Sequence, residues 1–179
     1  EQKKLLKKEN EFLWTYIHED EFNKVKEVLL QTTALDYFDV TQKTSLLTDA
    51  SRLHGFGFAL MQEDKQGRQR LIQCGSRGLQ PAEKNYSTIE LENKAIVWAV
   101  EKARHYLFGA KFTIYTDHKP LLGLNKKPLQ DIKSSRLRDY REKLTDYSFT
   151  IEYVPGKEHK IADALSRIPA FHKADEDKE

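Results

Sequence analysis

Ser45-Leu46-Leu47-Thr48-Asp49-Ala50-Ser51 reads as a short buried strand that carries one carboxylate. Leu47 and Asp49 are two apart, so they share a face of that strand. An acid in such a place costs free energy unless something cationic meets it. A second stretch repeats the design. Phe112-Thr113-Ile114-Tyr115-Thr116-Asp117-His118 is β-branched and aromatic, and it too ends in Thr-Asp. Two strands that each deliver a carboxylate, with a helix-borne glutamate between them, have the makings of a metal site.

Working outward, Gly55-Phe56-Gly57-Phe58-Ala59-Leu60-Met61 and residues 70–76 read as two further strands. With the first they form an antiparallel meander whose hairpin tip is Asp64-Lys65-Gln66-Gly67. Gly55 and Gly57 suit a place where a backbone or a ligand comes close. A long helix starts after Asn85-Tyr86. Ser87-Thr88-Ile89-Glu90 fits a capping box, and Gly109 marks the helix end. Ile89, Ile96, Val100, Ala103 and Leu107 form its apolar stripe. At roughly 100° per residue, Glu92 falls on that stripe and Glu90 falls well off it. Glu90 therefore has a capping job, whereas Glu92 points at the sheet.

After the Phe112 strand, Pro120 opens a short helix, and residues 133–145 read as another with Leu137, Tyr140 and Leu144 inward. A last strand covers residues 148–154, and a final helix, 161–167, carries Asp163. Upstream, Leu13, Ile17, Phe22, Val25 and Leu29 recur at helical spacing. We expect three parts: a helical tether over 1–44, a catalytic domain over 45–168 and a flexible polar tail over 169–179.

No apolar run approaches the roughly 20 residues needed to cross a bilayer, and the charged start is not that of a signal peptide. One cysteine, Cys74, excludes an internal disulfide and fits a reducing compartment. The net charge of +2 hides an asymmetry. Residues 1–40 hold six Lys against nine acids, and 168–179 hold two against four. The middle therefore carries 22 Lys/Arg against 15 acids, a net of +7, which suits a polyanionic partner. A solvated surface is the other reading of that excess.

The inward acids are Asp49, Glu92, Asp117 and Asp163. Converging without cations, they would repel and raise one another's pKa values. Mg²⁺ removes that conflict, because it is hard, binds carboxylate oxygen and shares its shell with water and phosphate. Two such ions about 4 Å apart activate a water and stabilise the leaving oxygen in phosphodiester hydrolysis. One cysteine and scattered histidines offer zinc no tetrahedral set. Taken singly, a Thr-Asp at a strand end is a cap or a turn. The order strand-Asp, helix-Glu, strand-Asp, helix-Asp is what points to a site.

Thr48-Asp49-Ala50-Ser51, Asn85-Tyr86-Ser87, Thr116-Asp117-His118-Lys119-Pro120-Leu121 and Ile161-Ala162-Asp163-Ala164-Leu165-Ser166-Arg167 together resemble the ribonuclease H domain of gypsy-type LTR-retrotransposon reverse transcriptases. Phe12-Leu13-Trp14-Thr15 resembles the connection that joins polymerase to ribonuclease H. The resemblance covers about residues 10–168. It implies an α/β, ribonuclease H-like fold: a mixed five-stranded sheet flanked by helices. It implies that Asp49, Glu92, Asp117 and Asp163 are catalytic metal ligands for two Mg²⁺ ions, with Mn²⁺ a possible substitute. Asn93 departs from the pattern by standing where the family has Leu. His159 precedes Asp163 where retroviral relatives place a mobile His in a longer loop; it is an auxiliary position or an exposed loop residue.

The implied activity is Mg²⁺-dependent cleavage of the RNA strand of RNA·DNA hybrids during reverse transcription. The implied partners are the hybrid and the polymerase domain of one polyprotein, with no membrane, in cytoplasmic retroelement particles. Loop positions expected to meet the hybrid are Arg52, Gly55, Arg77, Asn85, Tyr86 and Lys119, with Arg136 from the basic 126–143 segment. Two rivals remain at this stage: a silent connection domain of the same fold, and a DNA nuclease of the same superfold.

Overall fold

In the computed structural model, β1 (Lys43–Ser51) is the middle strand of a five-stranded sheet of order β3-β2-β1-β4-β5. The structure describes residues 37–156 and 160–167, together with Thr15, Tyr16, Glu19, Asp20, Phe22, Asn23, Lys26 and Glu27. Most of the expected tether, the tail and His159 lie outside the described residues. β2 (Gly55–Glu63) pairs antiparallel with β1, and β3 (Gln69–Gly78) pairs antiparallel with β2. β4 (Lys111–Thr116) joins β1 in parallel, and β5 (Ser148–Tyr153) joins β4 in parallel. The sheet is mixed, as the resemblance implied.

The helices are α1 (Thr88–Lys102), α2 (Arg104–Leu107), α3 (Pro120–Lys126), α4 (Ser135–Lys143) and α5 (Lys160–Arg167). Alternation along β1 decides which helix covers which face. Leu46 packs with Phe58, Ile96, Val100 and Ile114 in the main core beneath α1 and α4. Leu47 packs with Ala59, Met61, Ile161 and Leu165 beneath α5. β1 is thus covered on both sides, and an acid on it is drawn into the interior.

Two expectations change in detail. The long helix does not run unbroken to Gly109. It ends at Ala103 (φ −95°, ψ 15°), and α2 restarts it for one turn before Gly109 at φ +79°. Two 3-10 turns, Pro81–Asn85 and Leu129–Asp131, appear where loops were expected, each led by proline.

Upstream residues are tied to the sheet by Gln62, which is fully buried on β2. Its amide donates to the Asp39 carbonyl at 2.8 Å and to Thr44 Oγ1 at 2.9 Å, and its Oε1 accepts from the Asp39 N–H at 2.9 Å. Phe38 stacks beside Tyr106 with ring centroids 5.1 Å apart. The domain therefore begins before residue 45 in physical terms. Gln62→Leu keeps the bulk but orphans both backbone groups of Asp39. We predict a loss of about 1–3 kcal/mol in urea unfolding, as for other buried polar groups left unpaired. A loss below about 0.5 kcal/mol, the range of neutral surface changes, would show that the clamp contributes nothing.

Candidate active site

Parallel pairing brings the C-terminal ends of β1 and β4 together. Asp49 sits near the end of β1, and Asp117 directly follows β4. Glu92 enters from the second turn of α1, on the face turned toward the core. Ligand oxygens of Asp49, Glu92 and Asp117 lie within 4.8 Å of one another. Asp49 is 7% exposed and Glu92 4%, whereas Asp117 is open to solvent.

Glu92 bears most of the strain. Burial first, then the charges of Asp49 and Asp117, push its carboxyl well above the usual 4.5, against a hydrogen bond from the Ala50 backbone. Its Oε2 is buried, and among the described residues it has no hydrogen-bond partner. An orphaned oxygen within a trio of carboxylates is what a bound cation would satisfy. The donors are all oxygen, which suits a hard divalent ion such as Mg²⁺ or Mn²⁺. The residues present therefore fit the implied metal.

The fourth acid stands apart. Asp163 lies in the first turn of α5, and its carboxylate accepts from Arg167 Nη2 at 2.6 Å and Nε at 2.8 Å. The pair is an exposed helical i, i+4 contact, a geometry that contributes only about 0.3–0.5 kcal/mol. So three of the four expected ligands converge, and the carboxylate of Asp163 is instead paired with Arg167 by a weak bond. Ser166 was missed in the sequence. Its hydroxyl donates to Asp49 Oδ2, and it is fully buried. The signal was available, since Ser166 follows Asp163 by three and shares its helix face.

The expected nucleic-acid positions cluster at the same end of the sheet. Arg52 is exposed and donates through Nη2 to the Tyr86 carbonyl at 3.1 Å. Arg136 lies 3.9 Å over the Tyr86 ring and pairs with Glu90 at 2.8 Å. Glu90 also accepts from the Ser87 N–H and hydroxyl, both at 2.9 Å, which is the capping job expected of it. Asn85 is exposed beside Tyr86. Lys119 rests 4.6 Å over the Tyr153 ring, next to Asp117. Gly55 has φ +150°, and a Cβ there would lie 1.8 Å from the Arg77 carbonyl oxygen. Its freedom from a side chain is needed for strand packing.

Arg77 corrects the sequence reading. Its side chain is 14% exposed and does not project from a loop. Its Nη1 donates to Glu83 Oε2 at 2.7 Å and to the Gly78 carbonyl at 3.0 Å, and its Nη2 donates to Glu83 Oε1 at 2.6 Å. The guanidinium stacks 4.3 Å over Phe56 and 5.6 Å over Trp98. Glu83 is 2% exposed. Burial raises its carboxyl, but hydrogen bonds from Arg77 and the Gln80 N–H bring it below the usual value. The pair ties the end of β3 to the 3-10 turn that delivers Asn85 and Tyr86. No periodicity in the sequence could reveal it, because the partners are six apart across Pro81. Glu83→Gln leaves the Arg77 charge buried against a neutral partner. We predict a loss of about 3 kcal/mol in urea unfolding; a loss under about 1 kcal/mol would contradict a desolvated pair.

With this geometry in view, kinship to known proteins follows. Residues 39–147 match the model of the RNase H-like domain found in reverse transcriptase. The retrovirus-related Pol polyprotein from transposon 412 of Drosophila melanogaster is 38% identical over 165 residues, covering 92% of this chain. The chain spans 13% of that relative's length. A crystal structure of prototype foamy virus protease-reverse transcriptase superposes with TM-score 0.59 at 18% identity, over 94% of this chain and 22% of that one. The foamy viral enzyme in complex with RNA/DNA hybrid superposes with TM-score 0.54 at 19% identity, over 93% of this chain and 22% of that one. These structures share the fold; the matched family and the transposon relative carry the kinship. The chain belongs to the RNase H-like domains found in reverse transcriptases, of the gypsy-type LTR-retrotransposon kind.

Proposed function

We propose that this domain is a Mg²⁺-dependent endoribonuclease that cuts the RNA strand of RNA·DNA hybrids during reverse transcription. The observation that carries the reading is the convergence of Asp49, Glu92 and Asp117 within 4.8 Å, with one Glu92 oxygen buried and orphaned. Bound divalent ions would supply activation of the attacking water and neutralisation of the leaving oxygen. Asp49, Glu92 and Asp117 would hold them, and Asp163 would join by leaving Arg167. Arg52, Asn85, Tyr86, Lys119 and Arg136 form the rim proposed to grip the hybrid, by phosphate contacts and by polar groups that read 2′-hydroxyls. That the foamy viral structure contains an RNA/DNA hybrid supports this choice of substrate. The polymerase domain of the same polyprotein is the proposed partner, in keeping with the polyprotein relative.

The direct test is cleavage of end-labelled RNA in a hybrid, beside duplex DNA of the same sequence, with Mg²⁺. Cut RNA in the hybrid and intact duplex DNA are expected. Cleavage of the duplex DNA instead would favour a DNA nuclease, and no cleavage of either would favour a silent domain.

Three predictions separate the glutamates, their titration and the ions. Glu92→Gln should abolish cleavage, while Glu90→Gln keeps most of it and costs at most about 1 kcal/mol as a weakened cap. Equal loss of activity in both would contradict the assignment. The Glu92 carboxyl titrates higher in the folded chain than in the unfolded one, so its ionised form is penalised on folding. In chelator, stability should therefore rise as pH falls through the folded value, the penalty vanishing below the ordinary 4.5. Glu92→Gln should flatten that limb and raise the melting temperature at neutral pH; an unchanged pH limb would contradict the electrostatics. Ca²⁺, larger and looser in geometry, should support hybrid binding with little hydrolysis. Robust cleavage in Ca²⁺ would rule out a geometry-strict site.

A further inference from the structure

Asp49 faces Gly57 across the β1–β2 ladder. A Cβ at Gly57 would lie 2.2 Å from the Ser166 nitrogen, 2.6 Å from the Leu165 carbonyl carbon and 2.7 Å from the Ala162 carbonyl oxygen. All three atoms are backbone, so any side chain at 57 would lift α5 off the sheet. The missing side chain lets the last turns of α5 settle directly on β2. Ala162 and Leu165, 0% and 5% exposed, fix the depth of that contact. At this depth the Ser166 hydroxyl reaches Asp49 Oδ2, while lying 2.9 Å from the carbonyl of Asp163.

A buried hydroxyl in this place has a specific effect. It gives one Asp49 oxygen a donor, which partly offsets the repulsion from Glu92 and Asp117. It also restrains the carboxylate to one orientation, since a second rotamer would forfeit the bond. We propose that Ser166, seated by Gly57, is a positioning residue that orients the Asp49 carboxylate for the divalent cation. The inference rests on the proposed reading of the site as a metal centre. It adds that α5 serves the site twice, through Asp163 and through the hydroxyl one turn later. Docking of α5 on Gly57 is thereby coupled to the geometry of a ligand on β1.

The test is calorimetric titration of the whole chain with MgCl₂, alongside melting temperatures, for the unaltered chain, Ser166→Ala, Leu144→Ala and Asp49→Asn. Ser166→Ala should bind Mg²⁺ about ten-fold more weakly, as partners of metal ligands do when removed, with little change in melting temperature. Leu144→Ala, in the core on the opposite face of the sheet, should lower the melting temperature through its cavity yet keep the Mg²⁺ affinity of the unaltered chain. Equal affinity in Ser166→Ala and the unaltered chain would overturn the inference and leave the metal centre standing. An equal loss in Leu144→Ala would overturn it too, by assigning the effect to lost stability in general. Failure of the unaltered chain to bind Mg²⁺, or binding that survives Asp49→Asn, would overturn the metal centre and this inference with it.

Discussion

Asp49, Glu92 and Asp117 repel one another across no more than 4.8 Å, and the fold keeps them there. Two unit charges about 4 Å apart interact by roughly 4 kcal/mol at an effective dielectric of 20. Domains of this size are stable by only about 5–15 kcal/mol in total, so such repulsion is a large fraction of the whole. What opposes it lies immediately behind the acids. Leu46 and Ile114 are cross-strand neighbours on β1 and β4, and Leu91 precedes Glu92 on α1; all are at most 1% exposed. Each such side chain contributes about 1.5–3 kcal/mol by burial. The strand ends and the first turns of α1 therefore cannot spread apart without exposing the core.

Among the described residues, the basic side chains nearby are paired away from the three acids. Arg77 is committed to Glu83, Arg136 to Glu90 and Arg167 to Asp163. Among the described residues, no Lys or Arg is among the groups that set the Glu92 pKa; its charged neighbours are Asp49 and Asp117. A structural ion-pair network would have placed a guanidinium between the acids. Here the arginines brace the frame, Arg77 from inside and Arg136 against Tyr86.

The sheet was legible because its strands carry period-two alternation and β-branched residues, and because Asp49 and Asp117 end two of them. Glu92 was separable from Glu90 by helical angle alone, and the structure agrees: one is buried beside the acids, the other caps and pairs with Arg136. Arg77 misled because an arginine near a strand end looks like a loop cation. Its burial depends on Glu83 across a proline turn and on Phe56 and Trp98, contacts that only the folded chain brings together. The break at Ala103 was equally hidden, since Arg104 to Leu107 continue a helical pattern on both sides of it. Gly57 was suspected of a close approach, but sequence could not say that the approaching backbone was that of Leu165 and Ser166.

Crystals of the chain soaked in Mn²⁺ and measured at the manganese edge would test the central claim most directly. The account predicts an anomalous peak at coordination distance from carboxylate oxygens of Asp49, Glu92 and Asp117, with the orphaned Glu92 Oε2 engaged. Occupied manganese elsewhere with none among these three acids would contradict it.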